Sequence, residues 1–185
     1  MQKQAEYSEA IRTKYPEQVV IAIAKDKAGR ANPVTLGWTM IVSGNPPMMS
    51  IAVAKKHYSI EAITHSKCFT ISFPSVEMAD AALFFGSKSG RNIDKFAEFD
   101  CKTEPAQAID SMLLADAVAN FECTLESQIP VGDHIVFIGK IVASHINNEP
   151  KKRLYTIGPG HKLGPVSQKP RDTLVSRSAV RIPRC

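Results

Sequence analysis

Val118-Ala119-Asn120-Phe121-Glu122-Cys123-Thr124-Leu125-Glu126-Ser127-Gln128, followed by Ile129-Pro130-Val131-Gly132-Asp133 and then His134 to Ile146, is the stretch that decides the fold class. Its first part alternates: Phe121, Cys123 and Leu125 fall on one side, Glu122, Thr124 and Glu126 on the other, the two-residue period of a half-buried strand. Ile129 to Asp133 carries the proline and glycine of a hairpin turn. His134 to Ile146 reads as a long returning strand, with Gly139 suited to a bulge or a close approach. Two such strands joined by a short turn are antiparallel neighbours.

Upstream, Val19-Val20-Ile21-Ala22-Ile23-Ala24 is an apolar, β-branched run and predicts a strand buried on both faces. A polar turn, Lys25 to Arg30, and a break at Asn32-Pro33 lead to a second strand over Val34 to Ser43. Gly44-Asn45-Pro46-Pro47 is a turn, and Met48 to Ala54 a third strand, so the three form an antiparallel meander. Ser59 to His65 predicts a short helix with Ser59 as N-cap, Cys68 to Phe73 a fourth strand, and Val76 to Phe85 a helix capped by Ser75. Ile93 to Phe99 predicts another short helix, and Met1 to Lys14 a short helix or arm. The sum is a mainly β chain, an antiparallel barrel of about six strands with a few short helices. Residues 1–160 form this domain and 161–185 a basic C-terminal arm.

The 185 residues are 44% hydrophobic and 22% charged, the range of one folded domain with a real core. No apolar run approaches the roughly 20 residues that cross a bilayer, and the polar N-terminus lacks a secretory signal, so a cytoplasmic protein is expected. Cys68, Cys101, Cys123 and Cys185 form no CxxC pair and read as unpaired thiols. The five histidines show no HExxH pattern, and no metal is expected. The net charge of +5 gathers toward the C-terminus; a basic tail is weaker evidence for nucleic acid than a basic stripe with exposed aromatics, and nucleic acid is not the expected partner.

Three stretches offer chemistry. In Asn32 to Met40, Trp38 presents a flat surface, Gly37 allows close approach and Thr39 adds a hydroxyl; a core tryptophan fits the same letters. In Ala54-Lys55-Lys56-His57-Tyr58-Ser59, two lysines and a helix N-terminus suit a phosphate, as a solvated basic turn also would. Ser87-Lys88-Ser89-Gly90-Arg91-Asn92 is a loop able to close over phosphate, though it is not a Walker A loop.

Taken in order, these pieces resemble the flavin reductase-like family, the FMN-binding split β-barrels, in its flavoredoxin-like branch. The resemblance rests on Lys27-x-Gly29-Arg30-x-Asn32, Thr35-x-x-Trp38-Thr39, Ser43-x-x-Pro46-Pro47, Lys55-x-His57-x-Ser59-x-x-x-Ile63 and Cys68 to Pro74. Asp94-Lys95-Phe96, Gly132-Asp133-His134 and Gly139 to Val142 complete it. It covers about Tyr15 to Ile146. It implies an antiparallel, Greek-key-like split barrel, a homodimer, and FMN near the subunit interface. By position, Trp38, Thr39 and Met40 would line the isoalloxazine, with Asn32 nearby. Ala54, Lys55, Lys56, His57 and Ser59 would form the phosphate end, helped by Ser87, Ser89 and Lys95. His134 would either stabilise its turn or face the nicotinamide or flavin; no side chain is expected to be catalytic, because the redox chemistry belongs to the flavin. The implied activity is a flavin-dependent oxidoreductase, of NAD(P)H:flavin or ferric reductase type, fed by NAD(P)H or a redox protein. The alternative is a flavin-holding or electron-carrier module without NAD(P)H turnover.

Overall fold

The computed structural model describes residues 1–166; the rest of the expected basic arm, 167–185, lies outside the described residues. The main body is a seven-stranded, wholly antiparallel sheet curled into a split barrel. Its strands are β2 (Val20–Lys25), β3 (Ala31–Leu36), β4 (Thr39–Gly44), β5 (Pro47–Ala54), β6 (Cys68–Phe73), β9 (Ala119–Val131) and β10 (His134–Ile146), in spatial order β3-β2-β6-β9-β10-β5-β4. A small sheet joins β1 (Glu17–Gln18), β11 (Tyr155–Gly158) and β12 (Lys162–Gly164). A hairpin of β7 (Thr103–Pro105) and β8 (Met112–Leu114) completes the β structure. The helices are short: α1 (Tyr7–Ala10), α2 (Ser59–Ser66), α3 (Ala79–Ser87) and α4 (Lys95–Glu98).

Strand β2 is buried on both faces because it separates two cores. Val20, Ala22 and Ala24 face the barrel interior with Ile51, Val53, Phe69, Ile71 and Phe137. Ile21 and Ile23 face outward onto Phe85 and Ala82 of α3 and Leu114 of β8. Each fully buried isoleucine contributes about 1.5–3 kcal/mol of transfer free energy. The β9–β10 hairpin turns more tightly than its sequence predicts. Strand β9 runs through Pro130 to Val131, which pairs with His134, so only Gly132-Asp133 form the loop; Gly132 has φ +53°, the left-handed geometry that two-residue hairpins favour. The register shifts at Gly139, where a Cβ would lie 2.6 Å from the Phe69 ring and 2.7 Å from Cys123 Cβ. A side chain there has no room.

Four expectations need correction. The single strand over Val34 to Ser43 is two strands on opposite edges of the sheet: β3 pairs only with β2 and β4 only with β5, so Gly37-Trp38 is a corner and the meander is absent. Asn32-Pro33 lies inside β3 rather than breaking the chain, since an edge strand tolerates the N–H that proline lacks. Ser59 is the first residue of α2 and no side-chain cap forms; its hydroxyl turns inward and accepts a hydrogen bond from Asn32 Nδ2 at 2.9 Å. Ser75 likewise makes no cap bond, and Val76–Met78 is a 3-10 turn leading into α3. The cap that does form is Asp94, whose carboxylate accepts from Phe96 and Ala97 N–H at the start of α4.

Candidate functional site

Strand β3 ends at Leu36 on one edge of the sheet, and β4 begins at Thr39 on the other. The corner between them opens a cavity of about 570 Å³, a usual size for a small-molecule site. Thr35 to Trp38 form one wall, Lys56 and His57 a second, and Gly86 and Ser87 at the end of α3 a third. The small sheet and its flanks close the fourth side with Lys14, Glu17, Thr156 and His161. Glu17 lies directly over the corner: a Cβ on Gly37 would be 3.1 Å from its carboxyl carbon. Lys14 neutralises that carboxylate at 2.7 Å.

Of the residues that the sequence singles out, Trp38, Lys56, His57 and Ser87 meet on this cavity. Trp38 is 48% exposed and its ring lies 4.5 Å from that of His134, tilted by 33°. His134 Nδ1 is bonded to the Asp133 carboxylate at 2.6 Å. Burial pushes the His57 imidazole below its usual value, and the charges of Lys56, Lys95 and His134 push the same way.

The others are placed apart from the cavity wall. Thr39 Oγ1 donates to Ser50 O at 2.8 Å, and Met40 is exposed on edge strand β4. Ala54 ends β5 opposite His134. Lys55 turns away, its ammonium donating to Gly132 O at 2.7 Å. Asn32 and Ser59 are buried against each other, and Asn32 Oδ1 has no hydrogen-bond partner among the described residues. Gly90 fits over that oxygen: a Cβ on Gly90 would lie 1.9 Å from Asn32 Oδ1. Ser89, next to it, is exposed and accepts from Arg91 N–H. Lys95 is only 3% exposed, and its ammonium donates to Pro33 O at 2.7 Å and Phe85 O at 2.8 Å. Burial lowers its pKa to about 8. It ties α4 to β3 and α3.

Lys14, Tyr15, Glu17, Thr156, His161 and Leu163 line the cavity without a signal in the sequence that marks them as a site. Tyr155 to Ile157 has strand-forming residues, but only the fold brings them to the β3–β4 corner. Among the described residues there is no cluster of three or more His, Cys, Asp or Glu side chains able to hold a metal ion. No described helix is long and apolar enough to cross a membrane.

A family model described as the flavin reductase like domain matches residues 12–161. The NADH-dependent FMN reductase AsuE2 of Streptomyces nodosus subsp. asukaensis is 28% identical over 126 residues, 68% of this chain and 67% of that protein. The flavoredoxin of Methanosarcina acetivorans superposes with a TM-score of 0.82 at 23% identity, covering 96% of this chain and 98% of its own. The FMN-binding protein of Thermus thermophilus, with bound p-hydroxybenzaldehyde, superposes with a TM-score of 0.80 at 21% identity, covering 91% and 98%. Likeness at that identity is likeness of fold.

Proposed function

This chain belongs to the flavin reductase-like family, and from that premise we propose that it holds FMN in the cavity at the β3–β4 corner and works as a flavin-dependent oxidoreductase. It takes reducing equivalents from NAD(P)H or a redox protein and passes them to flavin, a ferric ion or a protein acceptor.

The cavity carries this proposal, because its residues suit FMN. Trp38 and the backbone of Thr35 and Leu36 offer a wall to a ring beside the neutralised Lys14–Glu17 pair, while Lys56 and His57 offer cationic and donor groups to a dianionic phosphate. Lys56 makes no ion pair or hydrogen bond among the described residues, which leaves its ammonium available. Ser87 sits across from it. Bound FMN supplies the hydride and electron chemistry. The chain supplies position, charge and exclusion of water; its polar groups here need no acid, base or nucleophile among them.

The homodimer is part of the same proposal. Edge strand β4 exposes Met40 (60%) and Ile41 (75%) beside Val42, and an unpaired apolar edge is a liability that a second copy removes. That copy would cover the strand next to Trp38 and bring Met40 into the site's surroundings. A monomer by light scattering at micromolar concentration would contradict this part.

The test is an absorbance spectrum of the protein with added FMN, followed anaerobically by NADH or NADPH. Bound flavin bands that bleach on adding a nicotinamide are the expected result. Bands that persist until dithionite is added assign the donor to a redox protein. An FMN spectrum unchanged by the protein overturns the proposal.

A further inference from the structure

Arg153 lies outside the cavity wall, but two of the residues it touches, Gln18 and Tyr155, are next in the chain to Glu17 and Thr156, which line that wall. Its backbone is fixed: the flanking residues pair with the segment just after β6, Val76 N–H donating to Lys152 O and Leu154 N–H to Pro74 O, each at 2.9 Å. The guanidinium stacks on Phe73 with its carbon 3.7 Å from the ring centroid and lies 5.4 Å from that of Tyr155. Nη2 donates to Gln18 Oε1 at 3.2 Å. Gln18 Nε2 in turn donates to Thr39 O, and Thr39 Oγ1 donates to Ser50 O at 2.8 Å.

This relay joins two stretches of chain that flank the cavity. Gln18 pairs with Tyr155, and Glu17 with Thr156, so the strand that Gln18 holds carries Glu17 and Thr156 onto the cavity. At the other end, the Thr39 carbonyl follows Trp38 directly, and Trp38 O accepts from Ala52 N–H at 2.9 Å. The planar guanidinium stacks and donates at once, which a lysine ammonium cannot do in the same way. Its Nε is buried with no acceptor among the described residues. A buried donor left unpaired is unfavourable, so stability alone is a poor account of an arginine at this place.

We propose that Arg153 is a positioning residue for the cofactor cavity: through Gln18 it fixes the spacing between the small-sheet wall, with Glu17 and Thr156, and the Trp38 wall. The relay's effect on Trp38 is independent of any ligand; its effect on FMN rests on the function proposed above.

The test uses Arg153→Ala, Gln18→Ala and the double variant in the full chain, with Arg153→Lys as the charge-keeping control. Trp38 is the one tryptophan, so its emission anisotropy reports the wall without flavin. Each single variant is expected to lower that anisotropy and to raise the FMN Kd about tenfold, the double variant no further, because residues in one network are not additive. Arg153→Lys is expected to fall short of rescue. If Arg153→Ala does not fold, Gln18→Ala decides alone. Folded variants with unchanged anisotropy and unchanged FMN Kd, or single losses that add in the double variant, overturn the proposal. A wild-type chain that binds no FMN sinks the function instead, and the anisotropy then decides the positioning role by itself.

Discussion

Two cavities among the described residues differ in how far their polar groups are tied into the fold. One, of about 410 Å³, is lined by Asn120, His145, Asn147 and Lys151, and its polar groups are tied to one another. Glu122, fully buried beside it, accepts from the N–H groups of Gln107, Ala108 and Ile109 and from His145 Nε2. Asn120 bridges Ser72 and both backbone groups of Leu114. Asn147 holds Ala115 O and Ala117 O, and Lys151 lies between Asp116 and Glu149. At the β3–β4 corner, Lys14 pairs with Glu17, and Thr35 and Ser87 donate to Ala82 O and Phe84 O, but Lys56, His57 and His161 face a cavity of about 570 Å³ with no such ties among the described residues. Groups tied into the fold build it; groups left without partners around a concave space are what a ligand meets.

Removing Glu122 should give the largest effect, all of it on stability. Glu122→Ala leaves three backbone N–H groups and His145 without their acceptor, and breaking a buried charged network costs about 3–5 kcal/mol. Urea unfolding should show that loss while FMN affinity stays unchanged; a matching fall in affinity would erase the contrast between the cavities. Burial alone would raise the Glu122 carboxyl, but the three N–H bonds and His145 outweigh it and hold the group below its ordinary value. Its folded pKa is thus the lower one. Its contribution is complete above the ordinary carboxylate value and is lost as pH falls through the folded value. The stability gap between wild type and Glu122→Gln should therefore narrow in acid.

Lys95 comes next. Lys95→Met strips Pro33 O and Phe85 O of their donor and should cost about 2–3 kcal/mol near neutral pH. With a folded pKa of about 8 against an ordinary 10.5, the unfolded chain holds the extra proton between these values. Wild-type stability relative to the variant should therefore rise with pH across that window. A flat difference would mean that the ammonium is better solvated than its burial implies.

A smaller effect, now on binding, is expected at Lys56. Lys56→Ala should raise the FMN Kd about tenfold, or roughly 1.4 kcal/mol, and leave riboflavin, which lacks the phosphate, within about twofold. Unfolding should change by less than about 0.5 kcal/mol, as for other surface substitutions. Equal losses for both flavins would remove the phosphate from this wall. The smallest effect belongs to Trp38→Phe, which should shift the bound flavin's visible band with little change in affinity. An unchanged band would make Trp38 a packing partner of His134 alone.

How much of this was legible depended on how local the signal was. The alternation of Phe121, Cys123 and Leu125 and the β-branched run of β2 state their strands directly, and Gly139 marks its close approach. The division of Val34 to Ser43 was hidden, because a strand that changes sheet edge keeps the same apolar letters on both sides of Gly37. Glu17-Gln18 is too short for any period, and its pairing with Tyr155 and Thr156 exists only in the fold. Lys95 enters the sequence reading only through the resemblance, as a helper at the phosphate end, and nothing nearby in the chain announces the two carbonyls that hold it. Trp38, Lys56 and His57 were singled out by residue type and by the family resemblance, and the fold brings them to one cavity; the wall opposite them carried no such signal.

A crystal structure of the chain with FMN shows directly where the flavin sits. The isoalloxazine is expected against Trp38 and the Thr35 to Gly37 backbone, with the phosphate within hydrogen-bond reach of Lys56 or His57. Flavin bound elsewhere, as in the cavity beside His145 and Lys151, with the β3–β4 corner empty, would contradict that placement.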